Sequence, residues 1–587
     1  MPRVALLTAV AWAVAAASAS APALAEGLKV VYPPDGHKTT AERIFLIGTA
    51  AAGGAVTLDG RPVRRSPGGH FAPSVPLRVG PNQVALQHRG ETLTLTIHRR
   101  QAQPAEPQGA SFAPDSLEPA RERAVQPGEL VRFSAVAPPG AQVHVRLGGR
   151  TIQLRPQPPS ATLPDQKAGL TGADQPRAAT RVRYEALARF HRVGPLGRPE
   201  FAVTLGGWRH AEQGPASLEV LDPERPEVIE VATAAGITRS GPSSDHARLT
   251  PAPRGTRAVV SGREGTWLRL SHGPWIDRGE VTTLPGAVPP RSAVRSVRVR
   301  SVEGATELVF PLQEPVPATV EVRDGCLTLT LHHVSAQTDL FRTPEDPIVR
   351  RLDWAPVGGD RVAYAVGLRT RLPWGYALRY EGTSLVLALR HPPPVPTGAG
   401  RLDGVRIALD AGHGGAEDHG THGPTGLAEK DVTLPMTQVL REALERRGAI
   451  CSLTRTRDEF IDLKPRTDAI ASIAPHLSLS VHYNALPDAG DAEGTRGFGA
   501  FWYHPQAHGL AEAIHRAMTR QLGRPSYGVW WDNLALARPT VTPAVLLEMG
   551  FLINPDEFEW CTDRVAQREA AEAIAEGVSA WLAAPRD

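Results

Sequence analysis

"LDAGHGG", residues 409–415, ends an apolar run on Asp410 and then sets a single histidine, His413, among three glycines. Glycine permits backbone angles and close approaches that other residues resist, so a histidine here is presented rather than packed. The stretch reads as a strand that stops at a polar crevice. A solvent-facing turn has the same local pattern, since isolated glycine-rich motifs are weakly specific. The sequence on either side has to separate the two.

Downstream the pattern is that of an α/β domain over 404–584. Apolar runs near 405–410, 449–454, 477–482, 498–503 and 544–549 alternate with helical periodicity, which predicts a mixed sheet flanked by helices. In the first helix Thr433 is the expected cap and Pro435 is tolerated in the first turn, which delays the helix. Met436, Val439, Leu440, Ala443 and Leu444 then form an apolar face ahead of Gly448. "GLAEAIHRAMTRQLG" and "VAQREAAEAIAEGVSAWL" read as two further helices. A proline-rich hinge, 392–403, should be extended and stiff, so residues 401–587 are expected to fold alone.

Upstream the chain is all β. Its 587 residues exceed what one hydrophobic core supports, so several domains are expected. Short alternating runs such as "AVTLDGRPV" and "TLTLTIHRR" predict a small sandwich-like domain at 26–100. Residues 101–126, rich in Pro, Ala and charge without periodicity, read as a linker. A second β-rich domain is expected at 127–224. Residues 226–283 resemble a bacterial Src-homology-3-like barrel in "LTPAPRGT", Trp267 and Trp275-Ile276. Residues 294–391, with "TELVFPL" and "CLTLTLHHV", resemble the sheet domains that target periplasmic amidases to the envelope.

The formal net charge of +3 provides no broad electrostatic footprint for nucleic acid. The first residues carry Arg3, an apolar stretch from Val4 to about Ala17, and an Ala23-Leu24-Ala25 cleavage pattern. They read as a signal peptide over 1–25, and the expected location is the periplasm, cell wall or extracellular space. No later segment reaches the roughly 20 apolar residues of a spanning helix, so no integral membrane segment is expected in the mature chain. Cys326, Cys451 and Cys561 are too few for a disulfide scaffold and lack the paired spacing of a cysteine zinc site. Cys451 reads as a small buried hydrophobe, and a Cys451–Cys561 bridge stays open. Any metal has to use His and carboxylate.

Four polar residues line up with the α/β elements. His413 follows the first strand, Glu429 precedes the first helix in "GLAEKDVTL", His482 ends "LSLSVH", and Glu548 ends "AVLLE". Binding sites in open α/β sheets form at the carboxyl ends of strands, so these four could converge on one crevice. Two neutral imidazoles and a carboxylate suit Zn²⁺, whose catalytic sites keep a fourth position for water. One carboxylate is left over to shuttle a proton, and Glu548, on an otherwise apolar strand, is the candidate.

At this point residues 404–584 resemble the zinc-dependent N-acetylmuramoyl-L-alanine amidase catalytic domain of the type-3 family. The resemblance rests on "IALDAGHGG", "GLAEKDVTL", "LTRTRDEFIDLKPR", "LSLSVHYNA" and "PAVLLEMGFLINPDE", in the family's order. It implies that His413, Glu429 and His482 bind zinc, that Glu548 is catalytic, and that the substrate is peptidoglycan, cut between muramic acid's lactyl group and L-alanine. Envelope proteins are the expected partners of the β-rich domains. Ala411 stands where the family commonly has proline, and "RTDAIASIAPH" lacks an Ala-Asn pair often seen after the family's arginine. In one septal subclass of the family a helix after the second histidine covers the zinc; here "YNALPDAGDAEGTRG" favours turns, which predicts an open site unless another domain covers it.

Neighbouring residues receive lesser roles. His419 and His422 read as loop or substrate-side residues, His504 and His508 as surface residues, and Arg455 and Arg466 as structural ion-pair partners. Asp410 is the expected acceptor that orients His413, because metal-bound imidazoles donate their other N–H. Two rival readings stand beside the amidase: a zinc carboxypeptidase acting on the stem peptide, and a non-catalytic wall-binding protein.

Overall fold

A computed structural model describes residues 27–101, 107–164, 166–171, 174–178, 181–394, 398 and 400–584. The expected leader, 1–25, and part of the expected hinge, 395–397 and 399, lie outside the described residues. The protein has several β-rich units followed by an α/β domain with a mixed sheet and flanking helices.

The first unit is built on the hairpin Gly80–His88 and Glu91–Arg99, whose alternation turns Val84, Leu86, Leu95 and Ile97 onto Ile44, Leu46 and Phe71. In the next, a six-stranded antiparallel sheet buries Phe133, Val143 and Phe201. The segment read as a linker is structured from residue 107 onward. Phe112, Leu117 and Val125 are buried in that second core, and Arg123–Val125 is a strand pairing with both Leu218–Val220 and Arg257–Glu264. Composition concealed this, because three separated apolar residues anchor a segment without making it periodic. Paired five- and four-stranded sheets enclose the core of the last β unit around Phe310 and Tyr364.

In the α/β domain the elements are β1 (Arg406–Ala411), α1 (Glu429–Arg446), β2 (Ile450–Leu453), α2 (Leu463–Ile473), β3 (Leu477–Asn484), β4 (Phe498–Trp502), α3 (Pro505–Arg516), β5 (Ser526–Trp531), β6 (Ala544–Phe551), α4 (Pro555–Thr562) and α5 (Arg564–Ala583). Sheet order is β2-β1-β3-β6-β4-β5. The strands from β2 to β6 are parallel, and β4 meets β6 antiparallel. Ile407, Leu409, Leu479, Val545 and Leu547 pack on one face beneath α1, α3 and α5, through Leu440, Ile514 and Ile574. Ala408, Phe501 and Leu546 pack on the other, with Ile470 of α2. Strand β5, "SYGVWW", escaped the sequence reading because Tyr, Gly and two Trp do not alternate.

Helix α1 starts at Glu429, earlier than expected, and Pro435 lies inside it. Loop carbonyls replace the cap: Glu429 N–H donates to Thr421 O (2.8 Å) and Lys430 N–H to His419 O (3.3 Å). Thr433 is buried within the helix, and its hydroxyl donates to Gly412 O at 2.7 Å. The interior proline removes a donor to Asp431 O, a cost that the tertiary anchoring of the first turn outweighs.

Two sets of contacts tie the α/β domain to the β units. Trp374 of the last β unit packs on the α/β core, donates to His476 O at 2.6 Å and lies 4.9 Å from the Trp581 ring. The first β unit folds back onto the loops that follow β3 and β6. There Phe45, Ile47 and Ala72 share an apolar cluster with Ala492, Phe551 and Ile553, while Tyr32 and His37 bind Asp488.

Candidate metal centre

Strand β1 delivers the glycine-rich turn to the carboxyl edge of the sheet. His413 takes a left-handed backbone (φ 60°) as the chain turns away. Gly412 has a steric reason: a Cβ there would collide with the His482 ring. The two imidazoles lie edge to face, centroids 5.0 Å apart. Gly420 has the same role on the opposite side, where a Cβ would overlap Glu429 Oε2 and His413. The opening stretch is therefore a cradle for two histidines.

Two buried arginines hold this turn. Arg466 pairs with Asp410 at 2.9 Å and donates to Ala411 O (2.7 Å) and His413 O (2.6 Å). Arg455, 1% exposed, donates to Ala411 O and Gly412 O at 2.9 and 3.0 Å. Arg466 is the ion-pair partner that the sequence suggested, whereas Arg455 binds backbone carbonyls. Asp410 does not orient His413. Its carboxylate is consumed by Arg466, Thr454 and Ser480, the last two at 2.6 Å. Burial opposes its charge, but Arg466 and the two hydroxyls hold its carboxyl below the usual range.

Asp418 has the orienting position instead, with Oδ1 2.7 Å from His413 Nδ1. The other ring nitrogen, Nε2, faces Glu429 Oε1 at 3.1 Å. Glu429 is 3% exposed and accepts from the backbone N–H of Tyr483 (2.9 Å) and Thr421 (3.0 Å), with His482 Nδ1 at 3.2 Å. Burial opposes ionisation of Glu429, yet the hydrogen bonds and charges of both histidines hold it below the usual range. Burial likewise lowers His413, and the facing carboxylates of Glu429 and Asp418 outweigh it, raising the imidazole to about 9. A cation bound in that space would compete with the His413 proton.

Glu548 lies beside this group on β6, cross-strand from His482. Its Oε2 is enclosed without a hydrogen-bond partner, as is His482 Nε2. Burial, with the charges of Glu429 and Asp532, pushes the Glu548 carboxyl well above the usual range. A divalent ion held by His413, Glu429 and His482 would counter that field.

His413, Glu429 and His482 present donor atoms within 4.8 Å of one another. Two imidazoles, one anionic oxygen cradled by backbone N–H groups and an orphaned buried nitrogen fit a divalent metal with mixed N and O ligands. His419 and His422 stack on each other at 5.8 Å outside that group. His504 is not a surface residue: it bonds Arg538 O at 2.8 Å, and burial lowers it to about 4. All three cysteines are free, with Cys451 only half-buried. Sequence reasoning missed Asp418; the signal was an acceptor five residues after His413, but Asp410 offered an equal one three residues before it.

Comparison with known proteins follows the same boundaries. Residues 407–580 match the profile of the Amidase_3 family, described as N-acetylmuramoyl-L-alanine amidase. The probable cell wall amidase LytH of Staphylococcus aureus is 31% identical over 185 residues, which are 31% of this chain. The match spans 60% of the length of that relative. The catalytic domain of CwlV, an N-acetylmuramoyl-L-alanine amidase from Bacillus (Paenibacillus) polymyxa, aligns at 28% identity over 30% of this chain and 98% of its own, TM-score 0.29. AmiC2 of Nostoc punctiforme aligns at 27% identity over 30% and 97%, with the same TM-score.

Proposed function

We propose that this chain is an exported zinc-dependent N-acetylmuramoyl-L-alanine amidase that hydrolyses the amide between muramic acid's lactyl group and L-alanine in peptidoglycan. One observation carries the reading: within the region that matches the amidase profile, two imidazoles and a carboxylate converge and a second carboxylate stands beside them with an unpartnered oxygen. That is a ligand set plus a proton acceptor.

His413, Glu429 and His482 are the zinc ligands in this reading. Zinc, when bound, supplies positive charge that polarises the scissile carbonyl and makes water easier to deprotonate. Glu548 accepts the proton of the attacking water and returns it to the amine of L-alanine as that amine departs. Asp418 fixes the tautomer and tilt of His413 by accepting from Nδ1, and backbone N–H groups of Thr421 and Tyr483 keep Glu429 ionised and aimed. Arg455 and Arg466 hold the backbone of the turn.

The remaining parts take supporting roles. Residues 1–25 direct export to the periplasm or wall. The β-rich domains at 26–100, 127–224, 226–283 (Src-homology-3-like) and 294–391 (envelope-targeting) position the enzyme and meet envelope proteins. Among the described residues no helix is long and apolar enough to cross a membrane. The test is digestion of purified sacculi by the zinc-loaded full chain, followed by mass spectrometry. A new amine on L-alanine supports the amidase. Release of a carboxyl-terminal stem residue would identify a carboxypeptidase, and binding without hydrolysis a wall-binding protein.

A further inference from the structure

The first β unit does more than cover the edge of the α/β domain. A cavity of about 410 Å³ lies between them, lined by Val31, Tyr32, Phe45 and Ile47 on one side and by Thr421, His422, Ala485, Leu486 and Ile553 on the other. That volume falls within the roughly 300–1,000 Å³ of small-molecule sites. The cavity is continuous in the chain with the metal centre. Thr421 holds Glu429 by its backbone N–H, and Ala485 and Leu486 directly follow β3, the strand that contains His482.

We propose that this cleft is the subsite for the stem peptide, with the first β unit contributing one wall of the active site. The inference rests on the amidase reading and names which half of that substrate lies here. A bond cut at the metal centre divides the substrate into a glycan and a peptide. The cleft wall has no carboxylate among its lining residues, whereas sugar hydroxyls are usually met by acidic or amide side chains. It offers instead aliphatic and aromatic surface for methyl and methylene groups. A cation stands at its edge: Lys29 donates to Thr425 O at 2.9 Å, and Lys29 and Val31 both approach Gly426. An acidic peptide with aliphatic side chains suits that combination.

The wall is also fixed in place. Tyr32 and His37 bind Asp488, Asn554 Nδ2 donates to Glu493 O and Thr495 O at 3.0 and 3.1 Å, and Phe45 and Ile47 pack against Phe551 and Ile553. The loop after β3 is therefore held between the β unit, through Asp488, and the segment after β6, through Asn554. Preorganisation of this kind lowers the entropy cost of holding a flexible peptide.

The experiment uses the zinc-loaded full chain and two variants that fill the cleft from opposite sides, Val31→Trp and Ala485→Trp. Three substrates are compared: N-acetylmuramoyl-L-alanine, the same amide with a three-residue stem, and a longer glycan bearing L-alanine alone. The expected result is that the wild-type preference for the three-residue stem over the truncated amide, measured as kcat/KM, falls at least tenfold in both variants, mostly through KM. Equal losses on both substrates, or no loss, would overturn the subsite. A loss that follows glycan length would assign the cleft to sugar and overturn it as well. Wild-type protein that cleaves none of the three would instead sink the amidase reading itself.

Discussion

His482 and Glu548 are register partners on the parallel strands β3 and β6, so a metal-ligand candidate and a proton-acceptor candidate leave the sheet side by side on one face. Adjacent strands lie about 4.8 Å apart, and this pair inherits that spacing from the backbone ladder. On the other side of Glu548 its partner is Gly499, where a Cβ would crowd the Phe501 and Tyr527 rings. The relationship divides the labour between a metal-ligand candidate and a proton-acceptor candidate, and neither His482 Nε2 nor Glu548 Oε2 has a hydrogen-bond partner.

Glu548→Gln is expected to keep stoichiometric zinc and lose activity by about 10²–10⁴-fold, the contribution typical of a positioned acid–base group. His413→Ala should lose both metal and activity. Metal analysis of the purified variants, beside assays on sacculi, checks this. Loss of zinc in Glu548→Gln would make that residue a ligand.

Asp418 and Asp410 lie on either side of His413, and their replacement should have opposite consequences. Asp418→Ala removes the acceptor at His413 Nδ1 and should weaken zinc affinity by about 10–100-fold with little change in Tm. Asp410→Ala strands Arg466, 2% exposed, and should destabilise the fold by about 3–5 kcal/mol. Zinc titration and thermal melts of both variants separate the two roles. A large Tm loss in Asp418→Ala would contradict the assignment.

The metal-free protein should show the pH dependence of a raised histidine. With His413 lifted from 6.5 to about 9 by Glu429 and Asp418 against the effect of burial, its charged form stabilises the fold fully below about pH 6.5. That contribution is lost as pH rises through about 9. Metal uptake expels the same proton, so zinc affinity should fall as pH drops below about 9, by up to tenfold per unit for one proton. The Tm difference between apo wild type and apo His413→Ala, followed from pH 6 to 10, should shrink toward the alkaline end. A flat difference would remove the pairing.

Removing residues 27–100 should expose Phe551, Ile553 and Ala492, which are buried against Phe45, Ile47 and Ala72. The shortened chain is expected to melt several degrees lower and to bind more of a hydrophobic dye than the full chain. A fragment starting at Arg401 also loses Trp374 from the face of Trp581 and should be less stable still. Unchanged melting of both truncations would restore the independent catalytic unit that the hinge suggested.

The sequence by itself determined the α/β class of the last third and the β character of the front, and it named four polar residues that the fold brings together. Each is encoded locally: an apolar run has a period, and a polar residue at its end is visible without knowing its neighbours. Asp418 over Asp410, the early start of α1, the burial of Phe112, Leu117 and Val125, and the β wall beside the metal centre were decided only by the tertiary structure. The physical reason is competition among distant groups. Asp410 is unavailable to His413 because Arg466, 56 residues later, and Ser480, 70 residues later, have claimed it. Glu429 opens its helix early because the loop carbonyls of Thr421 and His419 accept its first N–H groups. Phe45 meets Phe551 across more of the chain than any periodicity can span, so the composite cleft exists only once the fold closes.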